Sequence, residues 1–546
     1  MIRAILLKWA LLCLLCGCAT KLRAAAPAVS TDYQTQVHAN CYHTRFPGLC
    51  FHTLMDNPNQ QAGSILSTLV DKVISETTQL PSNAKFSAEF GTSAAVHQHH
   101  YSIAAAHEYC DEAMDMSLRR LNQTAVALKR SPGRYKQDIQ TWLSAVLTFQ
   151  QGCKDAIVRL NPSHDNLIAN QITDKMDHLI QLGSNALALI NRLANGNTTT
   201  ATEFDPAVEE EKAWFPSWVS AKDRKFLLAG NRVRGKNVNA IVAKDGSGNY
   251  RSVKEAIDAA PSGKQRYVIY VKAGVYKEKI WTDKDGITLI GDGKYSTVIV
   301  ASNSVVKSGS SLYESATFTV KGEKFIAKDI GFRNDAGPTG QQAIALYISS
   351  DRAVLYRCSV VGYQDSLFAE AFRQFYRDCD ISGTVDFIFG NAAAVFQNCN
   401  LLLRRPLNDN VILANGRNHP EQNTGFSLHR CKITSTQEFY PVRHSYRSFL
   451  GRPWKQYSRA VVMQTQIDDA IVKEGWKAWP GVDYSDTLYF GEYGNYGGGA
   501  STSKRVQWSG HHVMGSGDAS KFTVENFIAG SSWISSTGVP FSAGLR

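Results

Sequence analysis

Two hydrophobic periods divide the chain. Between residues 35 and 195, apolar positions recur every three to four residues. Ile65, Leu66, Leu69, Val70, Val73 and Ile74 form one run, and Ile139, Trp142, Leu143, Val146 and Leu147 another. A third passes through Leu167, Ile168, Ile172, Met176, Leu179 and Ile180 and continues through Leu187 and Ile190, while Ala104 to Leu121 supplies a fourth. Each run lays an apolar stripe along one helix face, and four stripes can bury one another as an all-α four-helix bundle.

From residue 238 short β-type runs replace the helices: Tyr267–Val271, Ile287–Ile290, Val298–Val300 and Phe318–Val320. A weak repeat follows in Phe325–Phe332, Val354–Val361, Phe375–Ser382, Val395–Leu402 and Phe426–Thr434. Its anchors Asp329, Cys358, Cys379, Cys399 and Cys431 lie 29, 21, 20 and 32 residues apart. Repeats of this length with strand-like content predict the stacked coils of a parallel β-helix. A β-sandwich would show turn signals about every 8–12 residues. The stretch 196–236 reads as a linker: Asn195 to Thr202 is rich in Asn, Thr and Gly, Glu209-Glu210-Glu211 is a charge run, and Arg224-Lys225-Phe226-Leu227 follows.

Composition sharpens this picture. With 546 residues, 43% of them hydrophobic, the chain fits two folded domains and not a disordered one. The net charge of +11 is spread along the chain and favours an acidic partner: nucleic acid, anionic lipid or acidic polysaccharide. Residues 1–26 resemble an export signal, with Arg3 and Lys8, an apolar stretch from Trp9 to Ala19, and small residues Ala24-Ala25-Ala26. That stretch is short for a membrane span, and a retained anchor is the alternative. Of the 11 cysteines, Cys13, Cys16 and Cys18 lie in this segment, leaving an even number, as an oxidising compartment favours. Cys41 and Cys50 are spaced for a local bridge, and Cys110 with Cys153 would tie two helices. Asn122 and Asn197 begin glycosylation triplets, which matter in a secreted chain.

Two segments inside the repeat carry candidate chemistry: Gly362-Tyr363-Gln364-Asp365-Ser366-Leu367 and Gly383-Thr384-Val385-Asp386-Phe387-Ile388-Phe389-Gly390. Their aspartates are 21 residues apart, one coil by the repeat. Neighbouring coils lie about 4.8 Å apart, so Asp365 and Asp386 can face one groove. Close carboxylates split their pKa values, so that one is a nucleophile while the other serves as acid and then base. The helical half offers no His, Asp or Glu cluster with metal-ligand spacing, and neither metal nor cofactor is expected.

These segments, with Gly274-Val275-Tyr276-Lys277-Glu278, the Gln342 segment and Leu450-Gly451-Arg452-Pro453-Trp454, closely resemble the plant pectin methylesterase family over about 238–541. Residues 38–190 resemble its inhibitor domain, four cysteines included. The resemblance implies a right-handed parallel β-helix over 237–546 that hydrolyses methyl esters of homogalacturonan in the cell wall. Asp386 would be the nucleophile, Asp365 the proton donor and base, and Gln364 and Gln342 the oxyanion donors. Arg452 would pair with Asp386, and Trp454, Phe389 and Trp479 would meet the sugar. It also implies a Cys379–Cys399 bridge, with Cys358 and Cys431 left free. The bundle over 35–195 would be an intramolecular inhibitor-like domain, and Arg224-Lys225 would mark the cut of a processing protease that leaves a monomer.

Some positions depart from the family pattern. Leu312 stands where Thr is usual, Phe368 and Phe449 where Tyr is common, Asp335 where Thr is usual, and Glu370-Ala371-Phe372 is atypical. None is a core catalytic position, and they bear on subsite preference and pH optimum. Rival readings lack their residues. A polygalacturonase would need Gly-His-Gly and Asn-Thr-Asp, a pectate lyase an acidic calcium cluster beside a basic residue, and a serine esterase Gly-x-Ser-x-Gly. A non-enzymatic wall-binding or inhibitory protein would have lost one of the five residues Asp365, Asp386, Gln342, Gln364 and Arg452. A polysaccharide substrate leaves no role for nucleic acid.

Overall fold

The structure, a computed structural model, describes residues 31–56, 64–79, 103–160, 166–193, 238–263 and 265–545. The leader, Asn197 and the linker with Arg224 and Lys225 lie outside the described residues. Among the described residues no helix is long and apolar enough to cross a membrane.

The N-terminal half is helical throughout. Two short helices, α1 (Thr31–Cys41) and α2 (Pro47–Met55), flank the loop closed by the Cys41–Cys50 bridge, a stretch the apolar pattern left without helices of its own. The four expected helices follow as α3 (Ile65–Thr78), α4 (Ile103–Arg130), α5 (Lys136–Leu160) and α6 (Leu167–Arg192). Ser64 and Asn166 cap α3 and α6 by accepting from backbone N–H groups of the first turn. Their stripes meet in one core of Leu69, Val73, Leu121, Leu143, Val146 and Leu187, all buried. The Cys110–Cys153 bridge joins α4 to α5.

The C-terminal half is a parallel β-helix of three sheets with eleven, seven and eight strands, and its strand pairs are parallel. Each repeat holds two strands. Ile326–Lys328 and Gly331–Asn334, or Arg373–Arg377 and Asp380–Gly383, lie on different sheets. Each two-residue corner between them opens with one residue in left-handed conformation: Asp329, Arg357, Asp378, Asn398 and Arg430 have φ of 53°, 53°, 53°, 55° and 57°. A single such residue swings the chain from one sheet to the next without inserting a loop. Cys358, Cys379, Cys399 and Cys431 each directly follow a corner residue and stack in the interior as free thiols. The implied Cys379–Cys399 bridge is therefore not formed; the coil interior uses these cysteines as small apolar side chains.

The seven-stranded sheet faces the bundle. Its registered outward row runs Tyr347, Phe368, Phe389, Ala414 and Arg452. The atypical stretch Glu370-Ala371-Phe372 projects from the end of one strand of this sheet, Leu367–Ala369, into the bundle. Phe372, at φ 70°, is buried among bundle residues. Phe149 of α5 meets it edge-on with ring centroids 5.7 Å apart, and the Arg120 guanidinium of α4 lies 4.6 Å from its centroid. Phe372→Ala should cost about 3–5 kcal/mol, as for other buried phenyl groups, borne by the joint between the halves. Calorimetry of the full chain should then show separate bundle and β-helix transitions where the unaltered chain melts as one. An unchanged single transition in the variant would contradict this placement.

Candidate active site

Asp365 and Asp386 precede neighbouring strands, Leu367–Ala369 and Ile388–Gly390, of the seven-stranded sheet. The Asp365 N–H donates to the Val385 carbonyl at 3.0 Å, which locks one coil onto the next. Both aspartates hold left-handed backbone, with φ of 60° and 49°. Non-glycine residues adopt this region mainly where surrounding structure enforces it, and such strain gathers at working sites. Gly383 and Gly390 make the turns possible: a Cβ on Gly383 would lie 2.2 Å from that of Phe387, and one on Gly390 would lie 2.0 Å from the Ala369 carbonyl oxygen.

Arg452, from the strand Ser448–Pro453, donates to both oxygens of Asp386, Nε at 2.8 Å and Nη2 at 2.5 Å. Its other face carries Trp479, whose ring lies 4.3 Å from the guanidinium carbon. The two aspartates are 7% and 6% exposed, so each carboxylate has lost most of its water. Burial pushes both carboxyls above the usual range. At Asp386 the Arg452 hydrogen bonds and charge oppose the rise, whereas at Asp365 the neighbouring Asp386 charge adds to it. The pair is thus divided: Asp365 is pushed the further toward keeping its proton, while the Arg452 guanidinium pulls Asp386 back toward the ionised form.

The remaining expected residues gather around this pair. Gln342 and Gln364 are bridged on adjacent coils, both half-buried. Phe389 stacks on Phe368 at 4.5 Å, and Trp454 meets Phe389 edge-on at 6.0 Å. Trp476, by contrast, is core: it is 1% exposed and its indole N–H donates to Glu492. Asn122 is exposed on α4.

Periodicity missed what lies over the site. Tyr109 of α4 stacks on Tyr313 at 3.8 Å and donates through its hydroxyl to Glu370 at 3.0 Å. Gly152 of α5 makes room for that hydroxyl, since a Cβ there would lie 2.2 Å from it. Asp138 of α5 accepts from Arg352 at 2.9 Å and pairs with Arg373 at 2.7 Å, with all three side chains less than a tenth exposed. Ion pairs also join Lys321 to Glu112, Arg120 to Glu323 and Lys455 to Asp155. Asn391, Asn418 and Gln422 donate to Thr148, Gln151 and the Ser144 carbonyl of α5. Glu370, Ala371 and Phe372 are thus engaged by the bundle. The signal available in sequence was their departure from the family pattern.

Two family models match the chain. The first, Pectinesterase, matches residues 239–531, and the second, Plant invertase/pectin methylesterase inhibitor, residues 35–189. A probable pectinesterase/pectinesterase inhibitor 54 of Arabidopsis thaliana is 43% identical over 503 residues, 90% of each chain. Pectinesterase 2 of Citrus sinensis is 45% identical, over 81% of this chain and 82% of its own. The solved pectin methylesterase from carrot is 48% identical, with a TM-score of 0.56, over 57% of this chain and 99% of its own. A β-helix half without a bundle is thus a folded protein in its own right. With the divided aspartate pair and the helical half in place, the chain belongs to the pectinesterase family of carboxylic ester hydrolases and carries an inhibitor-like N-terminal domain.

Proposed function

We propose that Asp386 attacks the carbonyl carbon of a galacturonate methyl ester in homogalacturonan. The carbon–methoxyl bond breaks as Asp365 delivers its proton to the departing oxygen, and methanol leaves an acyl group on Asp386. Asp365, now ionised, takes a proton from the water that hydrolyses this anhydride, which releases the free uronate and restores both carboxyls. Gln342 and Gln364 donate to the oxyanion of each tetrahedral intermediate. The observation that carries the reading is the two-pronged hold of Arg452 on a buried Asp386 beside a second, proton-retaining carboxyl.

The bundle, lying across the cleft, acts as an inhibitor in cis, and tethering keeps its local concentration high. Export to the cell wall and a cut after Arg224-Lys225-Phe226-Leu227, in a polar stretch open to proteases, precede full activity of a monomeric β-helix half.

Asp386→Asn should abolish methanol release with the melting curve kept, because an amide is a poor nucleophile; near-normal rates in that variant would refute the mechanism. Arg452→Gln tests the electrostatics. Arg452 holds the Asp386 pKa below the value burial would set, so its loss raises that pKa. Activity that disappears as pH falls through it should then disappear earlier, and the acid limb of the kcat/KM profile should move up by about one to three units. An unmoved limb would mean that Arg452 does not tune Asp386. The full chain should turn over pectin about a hundredfold more slowly than the isolated β-helix half, and equal rates would rule out inhibition in cis.

A further inference from the structure

We propose that Lys455 reads a free uronate carboxylate on the pectin chain, and that Asp155 of the bundle stands in for that carboxylate in the docked state. The inference rests on placing the chemistry at Asp365 and Asp386.

Lys455 follows Trp454 and lies three residues beyond Arg452, the residue that holds Asp386. Its ammonium is 2.6 Å from the Asp155 carboxylate, with both side chains about a quarter exposed. Three other cations of the catalytic half are balanced by carboxylates of that half. Arg452 has Asp386, Lys477 has Asp409, and Arg404 has Glu438. Lys321 pairs with Glu112 of the bundle, yet its charge also acts on Glu370 of its own half. Among the described residues Lys455 has its ion pair with Asp155 and none with a carboxylate of the catalytic half. Removal of the bundle therefore leaves a cation on the cleft rim beside an indole face.

A hexuronate has matching chemistry: a ring face for Trp454 and a carboxylate for Lys455. The bundle copies it. Helix α5 lays Thr148, Gln151 and Asp155 along the rim, and their hydroxyl, amide and carboxylate meet Asn391, Asn418 and Lys455. Arg159, one turn further on, lines the same pocket and acts electrostatically on Asp365. A methyl ester at the Lys455 position carries no charge, so the lysine discriminates in favour of units already de-esterified.

The test uses the β-helix half, unaltered and as Lys455→Gln and Lys455→Arg, with methanol release measured on fully and on sparsely esterified pectin at low ionic strength. For Lys455→Gln we expect KM on the sparsely esterified substrate to rise about three- to tenfold, with kcat on both substrates and KM on the fully esterified one nearly unchanged. Lys455→Arg should restore the difference. An equal rise on both pectins, or none, overturns carboxylate reading while leaving the aspartate mechanism intact. No methanol from either pectin with the unaltered half overturns both. In the full chain, Asp155→Asn should raise the rate above that of the unaltered chain, and an unchanged rate would overturn the mimicry.

Discussion

Parallel pairing of each coil with the next is the constraint on which the site depends. Coils stacked about 4.8 Å apart bring residues 21 positions apart in sequence within reach of one another, and Asp365 and Asp386 are such a pair. The same stacking lines up Tyr347, Phe368, Phe389, Ala414 and Arg452 along one face, so a guanidinium arrives beside a carboxylate from 66 residues away. Backbone hydrogen bonds, not side-chain contacts, hold this register. The site therefore sits on backbone hydrogen-bonded coil to coil, where left-handed aspartates can be maintained.

The fold was largely legible because both halves advertise their period. Stripes such as Val70, Val73 and Ile74 or Leu143, Val146 and Leu147 could be nothing but helix faces, and α3 and α5 carry them. The corners were less legible. Each strand-like run hid a corner at Asp329, Arg357 or Asp378, and one residue at positive φ is a weak compositional signal when it is not glycine. The Cys379–Cys399 bridge implied by the resemblance does not form, because the interior takes the cysteine after each corner as a small side chain. The site residues were legible through the resemblance and the one-coil spacing. The cover was not, since Tyr109, Asp138 and Asp155 look like ordinary helix-surface residues until the other half is set against them.

That cover is mostly polar. Asp138 with Arg352 and Arg373, Tyr109 with Glu370, and Lys455 with Asp155 are matched charges and hydrogen bonds that water would also satisfy once separated. Such pairs give register and partner choice more than affinity. A joint built of such pairs can part without leaving these polar groups unsatisfied.

Phe372 is the exception, and it has a consequence for how the two halves can change over generations. It is encoded in the catalytic half yet completes the interior of the bundle, beside Phe149 and Arg120. A bundle from another chain set on this β-helix would meet a phenyl ring with no place prepared for it. This bundle, set on a β-helix with a small residue there, would close over a void. The halves are therefore not interchangeable modules: a substitution in either is tested against the other, and the two are inherited as a fitted pair.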